Sequence, residues 1–327
     1  MRYVQRLALL LALPALTASG IAAAAESAGT YPNRPVRLMV PNAPGSSVDT
    51  LSRIVATSLS EVLGQQVVID NRAGAAGVIA MEIAKDAAPD GYTLISATTA
   101  ASTIARLLQK KPTFHPVTDY DHVVEFAETA NVLVVNPSVP VKSVKDFIAN
   151  AKSKPGDFRM ASAGNGSQSH MSGAYFMQAA GFETLHVPYK GGGPSVAAVV
   201  GGESQWTLTP APAVMSHVSA GRVRALGHSL PKPSSVFPNI PPIAETVPGF
   251  DYSGWQGFFF PKGTPRPIIQ KMRDAVVKTM ERPEVQKGMA FQATAIVIRE
   301  PAEFRKVVEA SLVKNAKLVK SLNLTAN

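Results

Sequence analysis

The feature that most limits the fold of this chain is a repeated order of short apolar strand, loop and amphipathic helix. Residues 36–40 form an apolar run that Pro41 closes. After the loop 42–47, apolar side chains recur at steps of three and four residues: Val48, Leu51, Val55, Leu59 and Val62. These steps predict one face of a helix, which Gly64 ends. Strands that alternate with helices predict a parallel sheet covered by helices on both faces.

The same order recurs along the chain and predicts two α/β domains. Further strands are predicted at residues 66–69, 92–96, 132–135, 158–161, 186–187, 206–208, 223–226 and 257–260. Further helices are predicted at residues 77–85, 144–152, 169–180 and 194–200, and from near Pro265 and Pro301. We expect the chain to enter the second domain near Asn131 and to leave it near Ser229. Residues 26–130 with 230–327 would then form lobe 1, and residues 131–229 the inserted lobe 2. Two crossovers make a hinge that suits closure around a ligand.

The amino terminus predicts export. Arg2 and Arg6 precede an apolar run at residues 7–16, and four alanines follow at residues 22–25. This order is typical of a secretory signal peptide, here residues 1–25. A run of roughly ten apolar residues is too short to span about 30 Å of hydrocarbon. The absence of cysteine from the sequence excludes a disulfide and a lipid-anchored amino terminus. We therefore expect a periplasmic protein that does not insert into the membrane after cleavage.

The charge of the chain bears on its partners. Without Arg2 and Arg6, the formal net charge falls from +9 to +7. The remaining basic residues are dispersed and lack interleaved aromatic residues, so we expect no nucleic-acid partner. A mild positive field favours acidic solutes. The six histidines have no ligand spacing, so neither a metal site nor a cofactor is expected.

Two loops follow strands at positions where open parallel sheets bind ligands. In the first loop, residues 41–49, Gly45 permits a close backbone approach and Ser46 and Ser47 add hydroxyls. The free N–H groups at the start of the following helix can hold an anion. Asp49 has two interpretations: a first-turn acid favoured by the helix dipole, or an acceptor for a polar or amino group of the ligand.

The second loop, residues 161–170, leads into the predicted helix 169–180. Its G-x-G lacks a third glycine, because that position is Ser169, so the dinucleotide fingerprint is weak. The surroundings of Ser167 do not match G-x-S-x-G, although an exported α/β hydrolase stays a weaker alternative. In Lys190-Gly191-Gly192-Gly193 the lysine precedes the glycines, which excludes a P-loop and favours a tight turn into a helix opened by Pro194.

A set of short motifs then carries a resemblance that spans the mature chain in order. These motifs are Tyr31-Pro32-Asn33-Arg34-Pro35-Val36-Arg37 through Pro44-Gly45 and Asp49, Leu63 to Val68, Asn71 to Gly77, Pro89 to Leu94, Ala161-Ser162 through Gly166-Ser167 to His170, His186 to Gly191, Gly221 to Leu226, and Pro261 to Pro265. Together they resemble the Bug family, the TctC-like extracytoplasmic solute receptors of tripartite tricarboxylate transporters.

The resemblance implies a periplasmic-binding-protein fold of the second type, with the ligand in a cleft between the lobes. It implies a small organic carboxylate as ligand, held by backbone N–H groups, hydroxyls and waters, with no catalysis. The implied partners are the membrane permease subunits, and we expect a monomer; a sensing role in signal transduction is the alternative. The expected ligand-binding residues are Asn42, Ala43, Gly45, Ser46, Ser47, Asp49, Thr98, Ser162, Asn165, Gly166, Ser167, His170 and Thr209.

The sequence departs from the family pattern at several positions, so parts of the pocket cannot be predicted from the resemblance. The usual Gly-Gly of the first loop is Gly45-Ser46 here, and Thr209 stands where the family commonly has an acid. A threonine there weakens the case for an amino-acid ligand, whose ammonium would need a carboxylate. The tracts 98–101 and 111–116 also diverge, so the floor of the pocket is not predicted. Trp206 is expected to pack in the core rather than line the pocket.

Overall fold

The computed structural model describes residues 30–154 and 156–324, so the predicted signal peptide lies outside the described residues. The strands are β1 Val36–Val40, β2 Val67–Asn71, β3 Thr93–Thr98, β4 Tyr120–Val135, β5 Arg159–Ser162, β6 Leu185–Pro188, β7 Trp206–Pro210, β8 Arg224–His228, β9 Ser253–Pro261 and β10 Thr294–Arg299. The helices are α1 Ser47–Leu63, α2 Val78–Lys85, α3 Ala105–Leu107, α4 Val144–Ser153, α5 Gln168–Ala180, α6 Gly192–Val200, α7 Met215–Ser219, α8 Arg266–Met280, α9 Pro283–Phe291 and α10 Pro301–Ser321.

The long strand β4 joins two sheets. Its first part pairs antiparallel with β9 and β10, and the strand order of that sheet is β2-β1-β3-β9-β4-β10. Its second part pairs antiparallel with β7 and β8, in the order β8-β4-β7-β5-β6. The change of partner falls between Ala130, opposite Ser253, and Asn131, opposite Pro210. The fold is therefore the predicted two-lobed α/β architecture.

Two details of the predicted architecture were wrong. Among the described strands, parallel pairing is limited to β1, β2 and β3 in one sheet and to β5, β6 and β7 in the other. Strands β4 and β9 run against their neighbours, so both sheets are mixed rather than parallel. Helix α6 begins at Gly192, two residues before Pro194, because proline fits anywhere in a first turn that has no intrahelical N–H bonds to lose.

Each sheet packs on its own core. Helices α1 and α8 cover the first sheet, where Leu38, Phe126 and Phe258 are fully buried. The second core gathers Phe147 and Trp206, among others, around β4 and β7. Trp206 is inaccessible to solvent, as expected for a core residue. Burial of one such large apolar side chain contributes about 1.5–3 kcal/mol, so each lobe has a substantial core of its own.

Two hydrogen bonds join the chain segments at the crossing points. The N–H of Ser229 donates to the carbonyl of Asn131 at 2.9 Å, and the N–H of Asn131 donates to Ser229 Oγ at 2.8 Å. Beyond Ser229, however, Ile243, Val247 and Phe250 pack into the core of the second sheet. We therefore propose that the inserted lobe extends to the start of β9 at Ser253.

Candidate functional site

A cavity of about 1000 Å³ lies between the two lobes. This is at the upper end of the range usual for small-molecule sites, about 300–1,000 Å³. Its wall includes the first loop and the end of β3 from lobe 1, and the second loop and the end of β7 from lobe 2. The carboxyl ends of strands in both sheets therefore meet at one space, as expected for a ligand site in open α/β sheets.

The start of α1 presents two backbone donors to this cavity. Ser46 caps the helix, and its Oγ accepts the N–H of Asp49 at 3.4 Å. Among the described residues, no acceptor lies within hydrogen-bond distance of the N–H groups of Ser47 and Val48. Ser46, Ser47 and Val48 all line the cavity. These donors, with the positive end of the helix dipole, suit a bound anion.

The start of α5 repeats this arrangement on the opposite lobe. Ser167 caps the helix, and its Oγ accepts the N–H of His170 at 3.2 Å. In the part of the chain that the structure describes, the N–H groups of Gln168 and Ser169 have no acceptor. All four of these residues line the cavity. Two helix starts with the same serine cap therefore face one space from two lobes.

Asp49 supports the first loop from inside the protein. Its carboxylate accepts the N–H of Gly45 at 2.9 Å, Asn71 Nδ2 at 2.9 Å and Arg53 Nε at 3.0 Å. Its side chain is almost fully buried, and Asp49 is not among the residues of the cavity wall. Burial acts to raise the pKa of Asp49, but the hydrogen bonds from Arg53, Gly45 and Asn71 outweigh it and hold the pKa below its ordinary value. The structure thus favours the interpretation of Asp49 as a first-turn acid of the helix over its interpretation as an acceptor for the ligand.

The remaining predicted residues divide into two groups. Asn42, Thr98, Asn165 and Thr209 lie on the cavity wall. Ala43, Gly45, Ser162 and Gly166 lie outside the wall, although each belongs to one of the two loops or the strand before it. Gly45 and Gly166 have φ angles of 76° and 75°, so they provide the left-handed turns that precede the two helix starts.

The charge of the wall was not predicted. Lys110, Lys111 and Lys190 line the cavity, and no aspartate or glutamate is found among its described lining residues. None of the three lysines forms an ion pair with a described residue. A cavity lined by cations and open N–H groups raises the local concentration of anions.

An apolar wall faces these polar groups. The apolar lining residues of lobe 1 include Ala75, Ala76, Ala101, Ala105 and Leu108. Ala75 and Ala76 hold positive φ angles of 46° and 55°, which alanine rarely adopts. Strained backbone of this kind is concentrated at functional sites. The wall can therefore receive the carbon skeleton of an organic ligand.

Two further observations concern the described residues alone. No group of three or more histidine, aspartate or glutamate side chains is arranged to hold a metal ion in residues 30–154 and 156–324. Over the same ranges, none of the helices combines the length and hydropathy that crossing a membrane requires.

The chain is similar to known proteins over most of its length. Residues 51–324 match the model of the tripartite tricarboxylate transporter family receptor, TctC. The chain is 34% identical over 307 residues to the protein BugT of Bordetella pertussis, with 93% of this chain and 94% of that protein covered.

Several solved structures share the fold. One described as a periplasmic transporter is 35% identical, with a TM-score of 0.88 and coverage of 91% of this chain and 100% of the other. A protein of R. palustris with adipate is 31% identical, with a TM-score of 0.86 and coverage of 90% and 98%. MatC from Rhodopseudomonas palustris with bound malate is 28% identical, with a TM-score of 0.83 and coverage of 88% and 100%.

Proposed function

This chain belongs to the tripartite tricarboxylate transporter receptor family, and we propose that it is an extracytoplasmic receptor for a small organic carboxylate. The observation that carries the proposal is the pair of serine-capped helix starts, at Ser47 and Gln168, which face one cavity without an acidic side chain. The ligand carboxylate is held by the open N–H groups of both starts, by the hydroxyls beside them and by water.

The expected binding energy agrees with this arrangement. A helix start contributes about 0.3–2 kcal/mol to the binding of an anion. Each hydrogen bond to a charged group contributes about 1.5–3 kcal/mol. Four open N–H groups would together contribute about 6–12 kcal/mol, a range that includes the roughly 8 kcal/mol of micromolar binding. No arginine clamp is required.

Membership of this family also suggests a cellular role for the chain. We propose that the mature chain is a periplasmic monomer, and that it delivers its ligand to the permease subunits of a tripartite tricarboxylate transporter. Structural relatives with adipate and with malate support a carboxylate as ligand, since those proteins share the fold over nearly their whole length. Thr209 on the wall, in place of an acid, further supports an acid without an ammonium group.

The serines of the second loop are engaged in structural hydrogen bonds. Ser167 Oγ accepts from the N–H of His170 and lies 3.2 Å from Ser169 Oγ. Among the described residues, no imidazole nitrogen lies within hydrogen-bond distance of Ser167 Oγ. A serine nucleophile needs such a base, so these contacts count against Ser167 as a nucleophile.

A thermal-shift screen of the mature chain tests the proposal. The panel contains adipate, malate, citrate and benzoate, with putrescine and glucose as controls of opposite and zero charge. A ligand that binds only the folded state raises the melting temperature in proportion to the logarithm of its concentration. We expect at least one acid to do so and both controls to have no effect. Stabilisation by putrescine alone, or conversion of a bound acid to product, would contradict the proposal.

A further inference from the structure

Two histidines of lobe 2 stack face to face beside the cavity. His170 lies in the first turn of α5 and His186 on β6. Their ring centroids are 4.1 Å apart, and the planes differ by 11°. His170 lies on the cavity wall, whereas His186 does not and is held behind it. The pair therefore has one member that a ligand can reach.

The hydrogen bonds of His170 fix the position of its proton. The N–H of Gly166 donates to His170 Nδ1 at 3.1 Å, so Nδ1 must be unprotonated. A neutral imidazole has one protonated nitrogen, which here is Nε2. Within residues 30–154 and 156–324, no partner accepts from Nε2, and this atom is not enclosed by protein. His170 therefore presents an unused N–H donor.

His186 is hydrogen-bonded to Ser162 at the end of β5. Ser162 Oγ lies 2.6 Å from His186 Nε2 and accepts the N–H of Gly164 at 3.2 Å. Ser162 Oγ also lies 3.4 Å from the carbonyl oxygen of Gly164 and can donate to it, so either Ser162 Oγ or His186 Nε2 can be the donor of the short bond. The short bond to Ser162 holds His186 in place, and His186 in turn supports one face of His170.

Burial favours the neutral form of both rings. Burial lowers the pKa of His170, and burial together with the nearby His170 lowers the pKa of His186 to about 4. A proton added to His170 would take Nδ1 and break the bond from Gly166. Among the described residues, no acidic side chain shares the cavity wall with His170 and could stabilise such a cation.

We propose that His170 binds the ligand carboxylate as a neutral donor through Nε2–H, and that His186 is the positioning residue that holds its ring. This inference rests on the proposed function and adds a side chain to the backbone donors of the two helix starts. It predicts that recognition by His170 is independent of pH as long as both rings stay neutral. A cationic His170 would instead bind more tightly as pH falls.

Two measurements test the proposal. The first is the ¹⁵N chemical shifts of the imidazoles, which report the tautomer without any ligand. We expect the shifts of an Nε2–H ring for His170. An Nδ1–H or a doubly protonated His170 at pH 7 would overturn the inference. This result does not depend on whether a carboxylate binds, so it separates the inference from the proposed function.

The second measurement is the Kd of adipate by calorimetry, from pH 6 to pH 8, for variants of both histidines. His170→Phe keeps the stacked ring without the donor, and we expect its affinity to fall by about tenfold or more. His170→Gln restores an N–H donor and should bind within about threefold of the unchanged protein. His186→Phe keeps the stack but loses the Ser162 bond, and should weaken binding less than His170→Phe does.

The outcomes are distinct. The unchanged protein should give a Kd that varies by less than about threefold over this range. A Kd that rises about tenfold per pH unit above pH 6.5 would overturn the neutral donor. Equal affinity of His170→Phe and the unchanged protein, with matching melting curves, would also overturn it. If the unchanged protein bound no acid of the panel, the proposed function would fail, and the tautomers would still decide the geometry.

Discussion

Asn42 Oδ1 accepts hydrogen bonds from the N–H of Gly192, at 3.2 Å, and from the N–H of Ala43, at 2.8 Å. One amide side chain therefore ties the first loop of lobe 1 to the start of α6 in lobe 2. The backbones approach closely along this edge, because Gly191, Gly192 and Gly193 have no side chains. An added Cβ at Gly193 would lie 2.4 Å from the carbonyl oxygen of Pro44.

The glycines of α6 should therefore permit closure of the cleft. The φ of Gly193 is not left-handed, so Gly193→Ala is compatible with the helix and collides only with Pro44 across the cleft. We expect unchanged or slightly higher stability, by about 0.4–1 kcal/mol, but an affinity for adipate at least about tenfold lower. Small-angle scattering should show a more open protein in the presence of ligand.

Gly201→Ala is the matched control, because Gly201 ends the same helix and its added Cβ would meet only Ala197 O at 3.4 Å. It should bind adipate like the unchanged protein. If Gly193→Ala also bound normally, the contact between Pro44 and Gly193 would have no part in closure.

Substitution by proline can remove the backbone N–H donors at the helix starts one at a time. Ser47 is the first residue of α1, and Ser46 before it has an extended backbone, with φ −73° and ψ 162°, that tolerates a following proline. Ser47→Pro removes the N–H, whereas Ser47→Ala keeps it. We expect the affinity of the proline variant for adipate to fall by roughly tenfold to a hundredfold relative to the alanine variant, the equivalent of about 1.5–3 kcal/mol. Calorimetry on both variants is the measurement, and equal affinities would count against the N–H of Ser47 as a ligand donor.

Asp49 should act on stability rather than on ligand choice. Asp49→Asn replaces a buried carboxylate that accepts from Gly45, Asn71 and Arg53, and it should lower the free energy of unfolding by about 1–3 kcal/mol. Because its pKa is lowered in the folded state, the contribution of Asp49 is present above pH 4 and is lost as pH falls further. Urea unfolding at pH 7 and pH 3.5 measures both effects.

The control for Asp49 is Asp146, which occupies the same first-turn position of α4 but is exposed. Asp146→Asn should change stability by less than about 0.5 kcal/mol. Abolished binding by Asp49→Asn, without a loss of stability, would favour the ligand-acceptor interpretation instead.

Glu125 should make the stability of the protein fall as pH rises, which is the opposite of the effect of Asp49. It is fully buried on β4, and burial raises its pKa to about 7 despite the ion pair with Arg299. A carboxyl whose pKa is raised on folding contributes stability that is complete below its unfolded pKa and is lost as pH rises through about 7. Glu125→Gln, compared with the unchanged protein by urea unfolding from pH 5 to pH 8, should remove this decline. Parallel stability profiles of the two proteins would contradict the raised pKa.

The fold could be predicted where local patterns and burial agree. Helix α1 repeats apolar residues at helical spacing and ends at Gly64, and its observed bounds match the prediction closely. The first half of β4 was not predicted, because Glu125 and Glu128 interrupt its apolar pattern. Those acids are compensated by Arg299, a residue of β10 that is distant in sequence. Ion pairs between residues so distant in sequence cannot be predicted from a local sequence pattern.

The site could be predicted only as far as its loops. Glycine and serine residues before predicted helices indicated both helix starts, and the structure brings Ser47 and Gln168 to one cavity. Lys190, Gly191 and Gly192 lie on the wall, but the local sequence predicted only a tight turn there, because their place on the wall depends on how the two lobes pack. Asp49 was included for its position in a motif, whereas its contacts direct it away from the cavity.

The most direct test is a crystal structure of the mature chain with the acid that stabilises it most in the thermal-shift panel. We predict carboxylate oxygens at about 2.7–3.2 Å from at least one open N–H of α1, at Ser47 or Val48, and from one of α5, at Gln168 or Ser169. An acid bound away from these two helix starts, or held only by lysine side chains while those N–H groups bind water, would contradict it.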